Sequence, residues 1–167
     1  MLKLITYPNP ILDKVAEPVT EFNEELIHVV EEMYGVMKKE GGIGLAAPQV
    51  GISKRIFVIE IDGVQMAFIN PEIIEHKDRY HSEEIFTSEG CLSFPGILIT
   101  IPRKRVISFK AQHTTGKEFG FTFAGLVSVC FQHELDHLNG INFINYLSKD
   151  VQNFIKRKLE REKSNVK

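Results

Sequence analysis

Tryptophan is absent from this 167-residue chain, and cysteine occurs only twice, at Cys91 and Cys130. Two thiols close at most one bridge, which excludes a small disulfide-stapled scaffold and leaves hydrophobic burial to stabilise the fold. A dominant charge is lacking too: 20 Lys and Arg against 22 Asp and Glu leave a formal net charge of −2, with a sequence pI near 6.3. That balance carries no overall basic signature for nucleic acid, so no sequence-specific nucleic-acid partner is expected. No run approaches the ~20 apolar residues of a membrane span, so no membrane partner is expected either. The first residues, "MLKLITYPNPILDKVAEPV", hold no basic segment leading into an uninterrupted apolar one, and the chain reads as cytoplasmic. In a reducing compartment, thiol or ligand roles for the two cysteines outweigh a bridge. Neither repeats nor low-complexity runs nor linkers interrupt the sequence. With 43% apolar and 25% charged residues, residues 1–167 fit one domain with a sizeable core.

What is present is periodic. Leu26, Val30, Met33 and Met37 recur at helical spacing between Asn23 and Lys39, and Gly41-Gly42 follow as a stop, which predicts an amphipathic helix. "RIFVIEI", Asp62-Gly63 and "VQMAFIN" predict a hairpin with a tight turn; Asn70-Pro71 closes it before a further short strand, "EIIEH". Strands are also expected at Ile97–Ile101, Arg105–Gln112 and Lys117–Phe123. Gly125 to Leu138 is apolar on most sides and suits a helix buried against sheet. A last helix is expected from Ser148, as N-cap, with Val151, Phe154, Ile155 and Leu159 as its packing stripe. This order predicts an α+β fold, with mostly antiparallel sheets around the buried central helix.

Inside that central helix lies "HELDH", residues 133–137. The spacing of four sets His133 and His137 one turn apart on one face, where both imidazoles can share an ion while Glu134 reaches water beside it. A third ligand is required. An extended H-E-x-x-H-x-x-G-x-x-H motif would need histidine at 143, where Phe143 stands. A glutamate from a later helix, Glu160 or Glu162, sits among solvated charges. His28, His76, His81 and His113 lack partner spacing. Cys130 shares the helix face, but an ion held by the two histidines lies about 7.5 Å along the axis from it, too far for a metal–sulfur bond of about 2.3 Å. Cys130 therefore reads as a small apolar wall residue. Cys91, in the loop-like "SEGCLSFPG", stays open as a candidate.

Three stretches acquire meaning together. "GIGLAAPQ" (42–49), "EGCLS" (89–93) and "QHELDH" (132–137) resemble, in order and spacing, the three motifs of peptide deformylases, and "YPNPIL" and "LNG" extend the likeness along nearly the whole chain. The resemblance implies a metal-dependent hydrolase that removes the N-formyl group from the formylmethionine of newly made polypeptides and releases formate. It implies metal ligands Cys91, His133 and His137, with Glu134 as acid/base and Gln49 and the Leu92 N–H stabilising the oxyanion. Gly42, Ile43, Glu89, Leu126, Val129 and Cys130 would surround the methionine side chain, and Ile43 and Gly44 would bond the peptide backbone. Glu89 would pair with Arg103. The implied cofactor is one divalent ion, Fe2+ first, with Zn2+, Ni2+ or Co2+ able to substitute. One departure stands out: many relatives carry an arginine after "EGCLSxP", whereas residues 96–100, "GILIT", are uncharged.

Two other readings compete. A zinc endopeptidase would cut internal peptide bonds. A zinc-stabilised binding module would need a closed four-ligand site, and no fourth Cys or His has suitable spacing. The C-terminal "SKDVQNFIKRKLEREKSNVK" holds seven Lys or Arg against three Asp or Glu; it reads as a solvated face or, more sharply, as a ribosome-docking surface.

Overall fold

The computed structural model describes residues 2–76, 81 and 83–164. A five-stranded antiparallel sheet is ordered β1 (Gly44–Ala46), β2 (Ile56–Ile61), β3 (Val64–Ile74), β6 (Val106–Gln112), β7 (Glu118–Ala124). A separate two-stranded sheet pairs β4 (Glu84–Cys91) with β5 (Phe94–Lys104). Helices α1 (Glu24–Lys39), α2 (Gly125–Leu138) and α3 (Lys149–Ser164) accompany them. The fold is α+β, as expected.

The best-resolved expectations have simple causes. Asn23 caps α1 by accepting from the Leu26 N–H, and Leu26, Val30, Met33 and Met37 are buried as their spacing requires. Asp62 and Gly63 both adopt positive φ, 53° and 77°, the geometry a two-residue turn between twisted strands demands. β2 is buried on both faces. Ile56 and Val58 meet α1, whereas Phe57 and Ile59 meet α2, so its apolar residues run without alternation. On the α2 side, Phe131 sits edge-on to Phe57 and Phe68, with ring centroids 5.0 and 5.1 Å away. These contacts fix the helix that carries the histidines.

Two expectations need correction. "EIIEH" is not a strand of its own: β3 runs on through Asn70 and Pro71 to Ile74, with a register shift between Ile69 and Glu72. Asn70, at φ 50°, makes the bulge tolerable, because its side chain bonds the N–H and C=O of Val19 and the amide of Gln112. The stripe of α3 is also different. Gln152, Ile155 and Leu159 are buried, whereas Phe154 is 70% exposed and Val151 44%. At 100° per residue the first three share one narrow sector, and Gln152 occupies the core side because its Nε2 donates to the Leu147 carbonyl at 2.8 Å.

Candidate active site

Helix α2 lies between the five-stranded sheet and the β4–β5 hairpin, and the site forms where the hairpin meets it. His133 and His137 project from one face, their ring centroids 5.1 Å apart. Cys91 is not in a loop, as its surroundings suggested, but ends β4. The ladder shifts after Gly90, so that Cys91 pairs with Phe94 across the turn Leu92–Ser93. This bulge turns the thiol toward the helix: Cys91 Sγ lies 3.3 Å from His137 Nε2. The ligand atoms of Cys91, His133 and His137 all fall within 4.8 Å of one another. A tetrahedral ion with bonds of about 2.1–2.3 Å holds its donors roughly 3.4–3.6 Å apart, so small side-chain adjustments close the set.

Gln49 stands beside the thiol on a 3-10 turn, Ala47–Val50. Its Oε1 accepts from the Ala46 N–H at 2.8 Å, which directs Nε2 toward Cys91 Sγ, 3.6 Å away, and Ser93 Oγ, 3.2 Å away. Ser93 donates onward to the Ile5 carbonyl. Glu134 is buried, and its Oε2 has no hydrogen-bond partner among the described residues; neither has His137 Nδ1. Buried polar atoms without partners are rare; Glu134 Oε2 faces the ligand cluster, whereas His137 Nδ1 lies across the ring from the Nε2 that faces Cys91. Gly44 must be glycine here, because a Cβ would collide with Glu134 Oε1 and come within 2.8 Å of Cys130 Sγ.

A cleft of about 1010 Å³ opens above these groups, lined by Gly42, Ile43, Gly44, Gln49, Glu89, Cys91, Leu92, Leu126, Val129, Cys130, His133 and Glu134. Val129 and Cys130 are buried in its wall, whereas Ile43 and Leu126 stand exposed at its mouth. The uncharged stretch 96–100 brings Leu98, 74% exposed, to the same lip. Cys130 Sγ faces the Ile43 carbonyl at 3.9 Å and lies outside the ligand cluster.

Sequence reading missed most of what surrounds His133. Its Nδ1 lies 2.8 Å from Glu89 Oε2. Glu89 also accepts from Thr87 Oγ1 and, through both oxygens, from Arg103 Nε and Nη2 at 2.8 and 3.0 Å. Arg103 Nη1 then reaches Asp136 Oδ2 at 2.6 Å and Tyr146 OH at 3.2 Å. Only the Glu89–Arg103 pair was anticipated. Nothing local marks Arg103 among the basic residues of "PRKR"; strand alternation in β5 turns it inward and its neighbour Lys104 outward, while Arg105, at the bend beyond β5, stays exposed.

The electrostatics follow from burial and these bonds. Burial raises the Glu134 carboxyl to about 7, with the charges of His133 and Arg103 opposing. Burial would raise Glu89 too, but hydrogen bonds from His133 and Arg103 outweigh it and hold the carboxyl at about 2. Burial, aided by the His133 and Arg103 charges, pushes His137 well down. It therefore presents a neutral imidazole, the form that ligates metal. Burial pushes the Cys130 thiol up, so it stays an un-ionised wall residue.

The family model for polypeptide deformylase matches residues 1–153. A peptide deformylase of Acidobacterium capsulatum is 41% identical over 163 residues, 95% of this chain and 93% of that protein. The crystal structure of a peptide deformylase from Legionella pneumophila superposes with a TM-score of 0.89 at 38% identity, over 98% of this chain and 96% of that one. The peptide deformylase of Thermotoga maritima does so at 0.83 and 42%, over 89% and 98%. Sequence and backbone agree over nearly the full length, and the chain belongs to the polypeptide deformylase family.

Proposed function

We propose that Cys91, His133 and His137 hold one divalent ion and that Glu134, Gln49 and Leu92 use it to remove the formyl group from N-formylmethionyl polypeptides. The observation that carries this is the convergence of one thiol and two imidazoles within 4.8 Å beside a buried carboxyl. A donor set of one sulfur and two nitrogens suits a late divalent metal, and Fe2+ is the ion we assign, with Zn2+, Ni2+ or Co2+ as substitutes. When bound, such an ion makes water a nucleophile at neutral pH and polarises the formyl carbonyl.

The remaining work falls to side chains. Glu134 takes the proton of the attacking water and delivers it to the nitrogen that leaves as the free amino terminus, with formate as co-product. Its carboxyl is buried beside the ligand cluster, within reach of a water held there. Gln49 Nε2 and the Leu92 N–H donate to the oxygen that gains charge as the carbon becomes tetrahedral, and losing one such donor costs about 3–4 kcal/mol in the barrier. Gly42, Ile43, Glu89, Leu126, Val129 and Cys130 receive the methionine side chain. The backbone of Ile43 and Gly44 pairs with the extended peptide. Formyl peptides are expected to react and acetyl peptides to remain nearly untouched, since an acetyl methyl has no room where the formyl hydrogen sits. Equal release of formate and acetate from matched peptides would overturn this.

We infer further that the chain acts as one catalytic unit in the cytoplasm; among the described residues, no helix is long and apolar enough to cross a membrane. Phe154, Arg157, Lys158 and Arg161 share the outward side of α3, and we read that basic face as a ribosome-docking surface. Co-sedimentation with ribosomes should weaken when Arg157 and Arg161 are both replaced by Glu. Unchanged sedimentation would remove the docking reading and leave the hydrolase intact.

A further inference from the structure

The 3-10 turn Phe143–Tyr146, just after α2, touches the His133 system at two points. Phe143 occupies the place where a longer zinc motif would put a third histidine. It is buried, with its ring 5.9 Å from the His133 ring. Three residues on, Tyr146 OH accepts from Arg103 Nη1 at 3.2 Å and donates to Asp136 Oδ2 at 2.9 Å. Its ring also lies 5.1 Å from the guanidinium carbon. Tyr146, Arg103 and Asp136 thus form a closed triangle, and among the described residues Arg103 is its hydrogen-bonded link to Glu89.

We propose that Tyr146 is a positioning residue for the metal ligand His133, acting through Arg103 and Glu89. The proposal rests on the reading of Cys91, His133 and His137 as metal ligands. Glu89 must keep one oxygen on His133 Nδ1, and the plane of its carboxylate is set by two N–H groups of Arg103 together with Thr87. A guanidinium is planar, so its tilt is transmitted to both partners at once. Glu89 holds the Nε–Nη2 edge of Arg103 in two bonds, whereas Asp136 holds Nη1 through a single carboxylate oxygen. The tyrosine hydroxyl, bonded to both Nη1 and Asp136, together with the ring against the guanidinium, braces that second edge. A ligand held in one orientation releases its metal more slowly, because the partner of its second nitrogen orients the ring. Tyr146 lines no part of the cleft, so its influence should reach the reaction without altering substrate contact.

Tyr146→Phe keeps the ring and deletes only the hydroxyl, at a residue already 43% exposed. The test uses the Fe2+- or Zn2+-loaded full chain, prepared anaerobically. We expect release of the ion to a chelator to quicken roughly threefold to tenfold, below the ~10–100-fold typical of a ligand's direct partner, and kcat to fall while KM stays put. A fall in Tm with unchanged release and unchanged kcat would mean that Tyr146 only braces the turn, and would overturn the proposal. Tyr7→Phe, which removes a hydroxyl bonded to Glu160 elsewhere, should change neither quantity. Equal acceleration in both variants would also overturn it. If the unaltered protein binds no ion, the metal reading itself fails; if it binds one and Tyr146→Phe releases it at the same rate, only this inference fails.

Discussion

Replacing Glu134 with glutamine should leave one ion bound per chain and lower kcat by roughly 10²–10⁴-fold. The amide is nearly isosteric, so the packing of α2, through residue 134 and Cys130, against Gly44 survives. What is lost is the acceptor: a neutral amide cannot take the proton of the attacking water or return it to the leaving nitrogen. The loss should appear in kcat and kcat/KM alike, because the carboxylate acts in the transition state rather than in substrate binding. Metal analysis separates this from collapse of the site. Retention of more than about a tenth of the activity, with metal bound, would assign the base elsewhere.

The second large effect divides the two cysteines. Cys91→Ser should strip most of the metal and most of the turnover, since a neutral hydroxyl is a poor substitute for thiolate in a three-donor site. Cys130→Ser should keep one ion per chain, with a loss confined to substrate fit and a modest fall in stability from a hydroxyl placed against apolar wall. Geometry explains the difference. Cys91 Sγ lies 3.3 Å from His137 Nε2, whereas Cys130 Sγ points to the Ile43 carbonyl. Both variants are to be purified anaerobically, because a thiolate beside Fe2+ oxidises readily. Metal lost from the Cys130 variant and retained by the Cys91 variant would reverse the assignment.

Legibility in the sequence tracked how local each feature is. Helix α1, the β2–β3 turn and the face shared by His133 and His137 depend on neighbours within a turn or two, and each was readable. Cys91 was not readable as the end of a strand, because the bulge that aims it exists only through pairing with β5. The α3 stripe was misread for a related reason. Gln152 is buried by bonds to the preceding 3-10 turn, a cause that hydrophobic periodicity cannot register. Asp136 and Tyr146 carry no motif spacing relative to Arg103. They meet it only because the hairpin, α2 and the 3-10 turn converge on one guanidinium.

The most direct test is formate release from formyl-Met-Ala-Ser by anaerobically purified protein whose metal content is measured in the same sample. Activity should be absent after the ion is chelated, should return in proportion to added Fe2+ and should level off at one ion per chain. Formate released at full rate by metal-free protein, or no formate from protein carrying its full ion, would contradict the assignment of Cys91, His133 and His137 as the centre of a deformylase.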